Sequence, residues 1–309
     1  MKILFTLKPK NKASGGGNFF VNNLMAFLKG KNHSVVFNFE DNIDLIIIIN
    51  PIKNKSNHIS YNQVNDYKKN NPNVKIIHRV NECDIKREKS INIEPKLLET
   101  MKIADKVIFV SKWLEEYFIT KYKLKINSTA ILNGCNREHF FPKNKNLSKK
   151  IKIVTHHWSD NYLKGFHIYN KIDKLLKKNK NFEFIYIGRY NKDYKPKRIN
   201  LISPKKGLEL GSLLRDCDIY LTATQNEPGA MHYLEGISCG LPVLYCTGGG
   251  GVQEFCCKYG EEFSDIDTFI EKLELIKNNY DNYVNKIDYE YLSSERCCQQ
   301  YYDEIIKLI

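Results

Sequence analysis

The 309-residue sequence has no long apolar runs. Residues 45–49 form a run of five, against the roughly 20 that a membrane-crossing helix needs, so no membrane span is expected. The opening residues Met1-Lys2-Ile3-Leu4-Phe5 are followed by Lys8 and Lys10, without the longer apolar region or small-residue cleavage site of a secretory leader. The expectation is a cytoplasmic protein whose nine cysteines are thiols. The adjacent pairs Cys256-Cys257 and Cys297-Cys298 lack zinc-ligand spacing, so no metal is expected. There is also no Ser-His-Asp or Cys-His arrangement that would mark a protein nucleophile, and no short internal repeat. Acidic residues are the minority charge: 48 Lys+Arg stand against 35 Asp+Glu, a net +13. Such a surplus suits nucleic acid, an anionic membrane surface or an anionic small substrate. The chain lacks a basic amphipathic recognition helix and an aromatic-basic ribonucleoprotein motif, which argues against nucleic acid. Many of its lysines are scattered among Asn and Ile, as in residues 145–152 and 174–180, and read as solvated surface.

Strand and helix signals alternate along the chain. Strands are expected over residues 2–7, 35–39, 44–49, 75–80, 106–110 and 129–132, and helices over 19–28, 95–103 and 113–122. The continuous β-branched run at 44–49 is the pattern of a parallel strand buried on both faces. Residues 133–150, which contain Phe141-Pro142 and a lysine- and asparagine-rich stretch, read as a linker. The alternation then restarts, with strands at 152–155, 182–187, 218–222 and 242–246, helices at 169–177, 208–215 and 231–238, and a largely helical tail from 266 to 309. Alternation of this kind implies doubly wound parallel sheets, with ligands beyond the carboxyl ends of the strands.

The most informative stretch is Asn226-Glu227-Pro228-Gly229-Ala230-Met231-His232-Tyr233-Leu234-Glu235-Gly236-Ile237-Ser238-Cys239-Gly240-Leu241-Pro242-Val243. One glutamate stands just before an expected helix and the second two turns inside it. Pro228 suits a first helical turn, and Gly229 lets a ligand approach the backbone. The freed N–H groups and the helix dipole favour an anion or a hydroxyl-rich ligand.

This string resembles the retaining glycosyltransferases of family 4, which have the GT-B fold of two Rossmann-like doubly wound domains facing a central cleft. Their mark is two glutamates separated by seven residues, then a small-residue-Gly-x-Pro-Val segment. Glu227, Glu235 and Cys239-Gly240-Leu241-Pro242-Val243 match it, although Gly229 comes one place earlier than the family's glycine. The resemblance implies that Glu235 holds the donor's ribose hydroxyls and that Glu227 contacts the transferred sugar. The N–H groups of Gly229, Ala230 and Met231 would face the sugar and diphosphate.

Weaker motifs fall in the family's order. Gly15-Gly16-Gly17 follows the first strand, where the family has a glycine loop at the donor diphosphate or acceptor; alone, such a triplet is a flexible turn. Val110-Ser111-Lys112-Trp113, Ile131-Leu132-Asn133-Gly134-Cys135-Asn136 and Phe140-Phe141-Pro142 resemble structural segments around the family's linker. Lys164-Gly165 matches a cationic Lys-Gly pair that binds the leaving diphosphate. Lys164 would stabilise the charge that develops there. The family's preceding arginine is missing, and Arg189 is the candidate substitute cation. His156-His157 precede this loop, and as strand neighbours they are expected to point to opposite faces. Leu201-Ile202-Ser203 lies where the family grips the nucleobase through backbone groups, which makes Ile202 a donor-side candidate. Gly248-Gly249-Gly250-Gly251-Val252-Gln253-Glu254 resembles a turn bordering the sugar pocket.

In the first half, His78-Arg79-Val80-Asn81-Glu82-Cys83-Asp84 ends a strand and is too polar for a comfortable core segment. Arg79, Asn81 and Asp84 are acceptor-binding candidates. His78 joins Glu227 and Lys164 as a catalytic candidate, replacing a family histidine whose place is taken by Asn50-Pro51. A helix cap or salt bridge at Asp84 is the structural alternative.

The resemblance as a whole implies an acceptor-side domain over residues 1–142 and a nucleotide-sugar domain over 143–290. The segment 291–309 is either a helix crossing back to the first domain or a terminal packing helix. The implied activity is transfer of a sugar, with retention and without metal or other cofactor, from a UDP-linked donor to a hydroxyl of a glycan, lipid or protein-linked acceptor. Contact with an anionic membrane surface is compatible with the charge. An epimerase or hydrolase of the same fold, a non-catalytic nucleotide-sugar binder and, less favoured, a nucleic-acid-binding protein are the alternatives.

Overall fold

The computed structural model describes residues 1–9, 16–49, 51, 58–86, 92–144 and 146–309. The expectations at Gly15 and Asn50 lie outside the described residues. The chain divides into two compact units. Unit 1 begins with Met1–Asp84, resumes through Asn133 and takes back Ser294–Ile309. Unit 2 holds Gly134–Ser293, and Ile85 and Lys86 group with it. The boundary after Asn133 thus lies nine residues before the 142/143 expected from the sequence.

Unit 1 contains β1 (Lys2–Phe5), α1 (Gly16–Gly30), β2 (Ser34–Val36), β3 (Leu45–Ile48), α2 (Tyr61–Asn70), β4 (Lys75–Val80), α3 (Glu94–Ile103), β5 (Lys106–Phe109), α4 (Lys112–Tyr122) and β6 (Ser128–Ala130). Its six strands are ordered β2-β1-β3-β4-β5-β6, and their pairings are parallel. All four residues of β3 have no exposed surface, as a β-branched run between two helical layers should.

Side chains alternate between the faces of this sheet. Ile3, Phe5, Leu45, Ile47 and Ile77 meet Phe20, Val21, Leu24 and Leu28 of α1 on one face. Leu4, Ile46, Ile48 and Ile76 meet Val64 of α2 on the other. The first face is shared with the last helix of the chain (Ser294–Leu308), whose Cys297, Cys298, Tyr301 and Ile305 repeat at helical spacing. The cysteines here are core residues.

His78 and Arg79 depart from the expectation that the polar run is excluded from the core. Both lie inside β4, with 0% and 2% exposure. Neither ring nitrogen of His78 has a hydrogen-bond partner, and burial lowers its pKa to about 3. The strand admits this side chain because it stays neutral.

Unit 2 contains β7 (Ile151–His157), α5 (Phe166–Leu175), β8 (Phe182–Gly188), β9 (Asn200–Ile202), α6 (Gly207–Arg215), β10 (Ile219–Thr222), α7 (His232–Ser238), β11 (Val243–Cys246), α8 (Gln253–Tyr259), β12 (Gly260–Phe263), α9 (Ile266–Asn278) and α10 (Tyr280–Asn285). The remaining helix, α11 (Ser294–Leu308), is the one packed in unit 1. The strands of unit 2 are ordered β12-β11-β10-β7-β8-β9, again in parallel pairings. Their order by position in the unit is 6-5-4-1-2-3, the dinucleotide-fold arrangement. The order reverses between β7 and β10, so a crevice for ligands opens beyond the carboxyl ends of those two strands. One face is covered by α5 and α9 around Ile219, Leu221, Tyr169 and Phe269. The other carries Tyr220, against which α7 is packed.

The buried, partnerless His78 has a consequence for acid stability. The unfolded chain takes up a proton at this residue near pH 6.5, whereas the native state resists it down to about pH 3. Stability contributed by the neutral ring is therefore complete above pH 6.5 and lost as the pH falls toward 3, by about 3–5 kcal/mol in all. His78→Leu should be at least as stable as wild type at neutral pH. In urea titrations its advantage should widen between pH 6.5 and pH 3, whereas a constant difference would contradict this account.

Candidate active site

The site at the β7/β10 reversal starts from a loop that permits only glycine at one position. After β7 the chain makes a short 3-10 turn over Tyr162–Lys164, with the Asn161 side chain accepting from the Leu163 N–H at 3.3 Å. Gly165 follows with φ +100°, and a Cβ there would lie 2.5 Å from Ala223 Cβ and 2.7 Å from Ala223 O. A side chain is thus excluded both by the left-handed backbone and by contact with the exit of β10. The Gln225 N–H donates to Leu163 O at 2.8 Å, tying the Lys164 turn to the segment that carries Glu227.

That segment is anchored on its other side as well. Asn226 has φ +50°, a left-handed value that Asn tolerates better than most residues. Its N–H donates to Gly248 O at 3.0 Å, the Glu227 N–H donates to Gly249 O at 3.1 Å, and the Gly251 N–H donates to Glu227 O at 2.9 Å. Gly248 and Gly250 take φ +80° and +72°. The second glycine run is therefore a turn that forms a ladder beneath Glu227. This ladder keeps residues 226–227 out of a helix, so α7 begins at His232 and Pro228 lies in the approach loop rather than in a first helical turn.

Glu227 is 3% exposed. Lys164 Nζ forms a hydrogen-bonded ion pair with Glu227 Oε2, and Lys86 Nζ lies 3.5 Å from Oε1. Burial alone would raise the pKa of this carboxyl, but the two ammonium groups outweigh it and hold the value at about 2.

Glu235 is held by a different device. Gly236, the next residue on α7, lies so close to Tyr220 that a Cβ would be 2.2 Å from the ring. The Tyr220 hydroxyl accepts from the His156 backbone N–H at 3.2 Å and lies 3.0 Å from His156 Nδ1. His156 Nε2 stands 2.6 Å from Glu235 Oε2. With the hydroxyl donating to Nδ1, Nε2–H is the donor to the Glu235 carboxylate. The relay runs from backbone amide to phenol to imidazole to carboxylate, and it sets the orientation of Glu235.

Two more imidazoles complete the setting. His157 Nε2 lies 2.8 Å from the Tyr169 hydroxyl, and His232 Nε2 lies 3.0 Å from Thr222 Oγ1. The His157 and His232 ring centroids are 4.6 Å apart. Burial first, and then nearby positive charge including Lys164, pushes both well below the ordinary histidine range. Both are therefore neutral at physiological pH, and Lys164 has no competing cation among them. Among the described residues, no group of three or more His, Cys, Asp or Glu side chains is arranged to hold a metal ion.

The other sequence candidates are placed as follows. Gly229, Ala230 and Met231 are half-buried in the approach to α7, and Met231 O accepts from the Glu235 N–H at 3.0 Å. Arg189 is exposed at the end of β8, its N–H on His157 O at 3.0 Å. Ile202 is half-buried on the edge strand β9. Gly16 and Gly17 are the first residues of α1 rather than a loop before it. Asn81 is half-buried after β4. Asp84 Oδ1 accepts from the Ile93 N–H at 2.7 Å, and the Asp84 N–H donates to Glu94 Oε1 at 2.8 Å, so its carboxylate brackets the start of α3. Sequence reasoning missed Lys86, which carries no signal in a lysine-rich chain, and the part played by His156 and Tyr220 in holding Glu235.

No family model matches the chain, and no match was found among curated proteins. Its fold does match solved structures over nearly the whole length. Sucrose-phosphate synthase from Thermosynechococcus elongatus aligns with a TM-score of 0.72 at 14% identity, covering 99% of this chain and 98% of that one. HepE from Anabaena, solved in complex with UDP, aligns with a TM-score of 0.73 at 15% identity, covering 99% and 100%. WaaG, a glycosyltransferase involved in lipopolysaccharide biosynthesis, aligns with a TM-score of 0.67 at 11% identity, covering 99% of each. The chain has the GT-B fold of these glycosyltransferases, built from two Rossmann-like units.

The Glu227 pair makes a stability prediction. Lys164→Met leaves a buried carboxylate with only Lys86 nearby and should cost about 2–4 kcal/mol. In wild type the contribution of Glu227 is complete above about pH 4.5 and lost as the pH falls through about 2. Lys164→Met should move that loss to higher pH. Adding Glu227→Gln should recover most of the stability in a double-mutant cycle, whereas strictly additive losses would show that the two side chains do not act as a pair.

Proposed function

We propose that the protein is a glycosyltransferase that moves a sugar, with retention, from a UDP-linked donor to an acceptor hydroxyl. The observation that carries this reading is the pair of glutamates at one strand reversal, each held by its own basic partner. A nucleotide sugar presents ribose hydroxyls, a diphosphate and sugar hydroxyls in sequence. Glu235, Lys164 and Glu227 offer an acceptor, a cation and an acceptor in the same crevice. The proposed role of Glu235 is to accept from the ribose hydroxyls, with His156 setting its direction. Glu227 accepts from hydroxyls of the transferred sugar. Lys164 supplies positive charge to the leaving diphosphate, which is electrostatic stabilisation by a group already in place. Lys86 adds a second ammonium, so positive charge for the diphosphate comes from the chain itself. Arg189 and the backbone groups from Gly229 to Met231 complete the donor side, and Ile202 lies beside the base.

The reading gains weight from similar folds: HepE has been solved with UDP and with UDP-glucose. Unit 1 is the acceptor side in this proposal. His78, enclosed in β4, is given no step.

In thermal-shift measurements a UDP-sugar should raise the melting midpoint of wild type, and Glu235→Ala should abolish the shift. His156→Ala should weaken donor binding by about 10- to 100-fold, the worth of one hydrogen bond to a charged group. A Glu235→Ala protein that responds like wild type would place the donor elsewhere. UDP release that is equally fast with and without acceptor sugars would instead favour a hydrolase or epimerase.

A further inference from the structure

We infer that unit 1 binds an anionic oxygen group, phosphate or carboxylate, beside Arg79 at the carboxyl end of β4. Arg79 is the second-last residue of that strand and is 2% exposed. Its guanidinium carbon lies 4.2 Å from the centre of the Phe20 ring on α1. Its Nη2 donates to Asn133 Oδ1 at 2.9 Å. That acceptor is neutral, and no carboxylate among the described residues forms an ion pair with Arg79. Its Nε and Nη1 are enclosed with no well-placed acceptor among the described residues. The Tyr301 hydroxyl of α11 is likewise enclosed, and the Arg79 guanidinium is its polar neighbour. The Tyr301 ring centroid is 4.7 Å from that of Phe20, so these enclosed donors gather around one aromatic pair.

A guanidinium carries five N–H donors and a charge that is not lost at physiological pH. Burying it opposite two neutral groups, the Asn133 amide and the Tyr301 phenol, leaves the charge unpaired and several donors unshared. A ligand that brings a negative charge and several lone pairs supplies what the unit lacks.

The start of α1 adds to the demand. This 15-residue helix has no acidic residue in its first turn. Phe20 is its fifth residue, and helical side chains lean back toward the N-terminus. The stacked guanidinium and the positive end of the helix dipole therefore lie at the same end of the unit.

This inference rests on the reading of unit 1 as the acceptor side, and it names the acceptor class as sugars or sugar-like alcohols bearing a phosphate or carboxylate.

The test is a thermal-shift titration of the full chain with inorganic phosphate, glucose 6-phosphate, glucuronate and glucose at matched ionic strength. The anionic probes should raise the midpoint, while glucose and sodium chloride should not. The larger of the glucose 6-phosphate and glucuronate responses identifies phosphate or carboxylate as the preferred group. Arg79→Met should remove the anion response and keep the response to UDP. Tyr301→Phe keeps the ring and removes one enclosed hydroxyl. It should raise the half-saturating anion concentration by about tenfold, and it decides the matter if Arg79→Met does not fold. An anion response that is absent from wild type, or unchanged in both variants, overturns the inference. A missing UDP response counts against the donor reading alone.

Discussion

A carboxylate with 3% exposure survives only beside positive charge, and the loops around Glu227 follow from that requirement. Lys164 reaches Glu227 because its turn is pressed onto the end of β10, and that approach admits only glycine at position 165. Glu227 in turn meets the lysine because Asn226 takes a left-handed conformation and the glycine turn at 248–251 holds the backbone from the other side. The Lys-Gly pair and the glycine run, unremarkable as separate motifs, become parts of one device once the buried charge is recognised.

The same arrangement limits what the surrounding groups can do. Two ammonium groups already face Glu227, so an additional cation nearby would be repelled. His157 and His232 meet this condition by remaining neutral. Their Nε2 atoms are used for hydrogen bonds to Tyr169 and Thr222. His156 is turned to a separate task, holding Glu235. Neighbouring histidines on one strand thus divide their work as opposite faces require: one supports a carboxylate, and the other fills the sheet–helix interface. The result is a crevice whose electrostatics are set before any ligand arrives, which is the condition under which a lysine stabilises developing charge without reorganising.

Much of this was legible in the sequence, for identifiable reasons. Strands buried on both faces announce themselves as β-branched runs, as in β3, and the glutamate spacing with Cys239-Gly240-Leu241-Pro242-Val243 pointed to the GT-B fold. The elements missed are those with little buried apolar surface. In α2 only Val64 is buried, and β12 (Gly-Glu-Glu-Phe) buries only Phe263. The edge strand β9 is similarly short, and α8 was hidden behind the glycine turn. Helix starts were less legible. Gly16 and Gly17 read as a loop, and Pro228 as part of a first helical turn although α7 itself is expected at 231–238, because the ladder between residues 226–227 and 248–251 is a long-range constraint that no local propensity reports. Partnerships such as His156 with Glu235 and Lys86 with Glu227 join residues 79 and 141 positions apart, and depend on strand order.

The two units treat buried charge in opposite ways. Unit 2 surrounds a buried anion with lysines from two segments, so that Glu227 is outnumbered by positive charge. Unit 1 encloses a buried cation with aromatic rings, a neutral amide and a phenol, and gives it no counter-charge among the described residues. A core arginine maintained only for stability would gain from a carboxylate partner or from replacement by an apolar side chain of similar volume. Arg79 has neither, although the neighbouring Glu94 shows that this unit can satisfy a buried charge fully, with Lys121, Tyr117, Tyr122 and the Asp84 N–H all on one carboxylate. In a unit able to build that network, an uncompensated guanidinium at the ligand end of the sheet is most simply explained by a partner that arrives with the substrate. On the two proposals made above, the surplus of positive charge along the chain has two specific uses, one in each unit, within a surface that is otherwise solvated lysine.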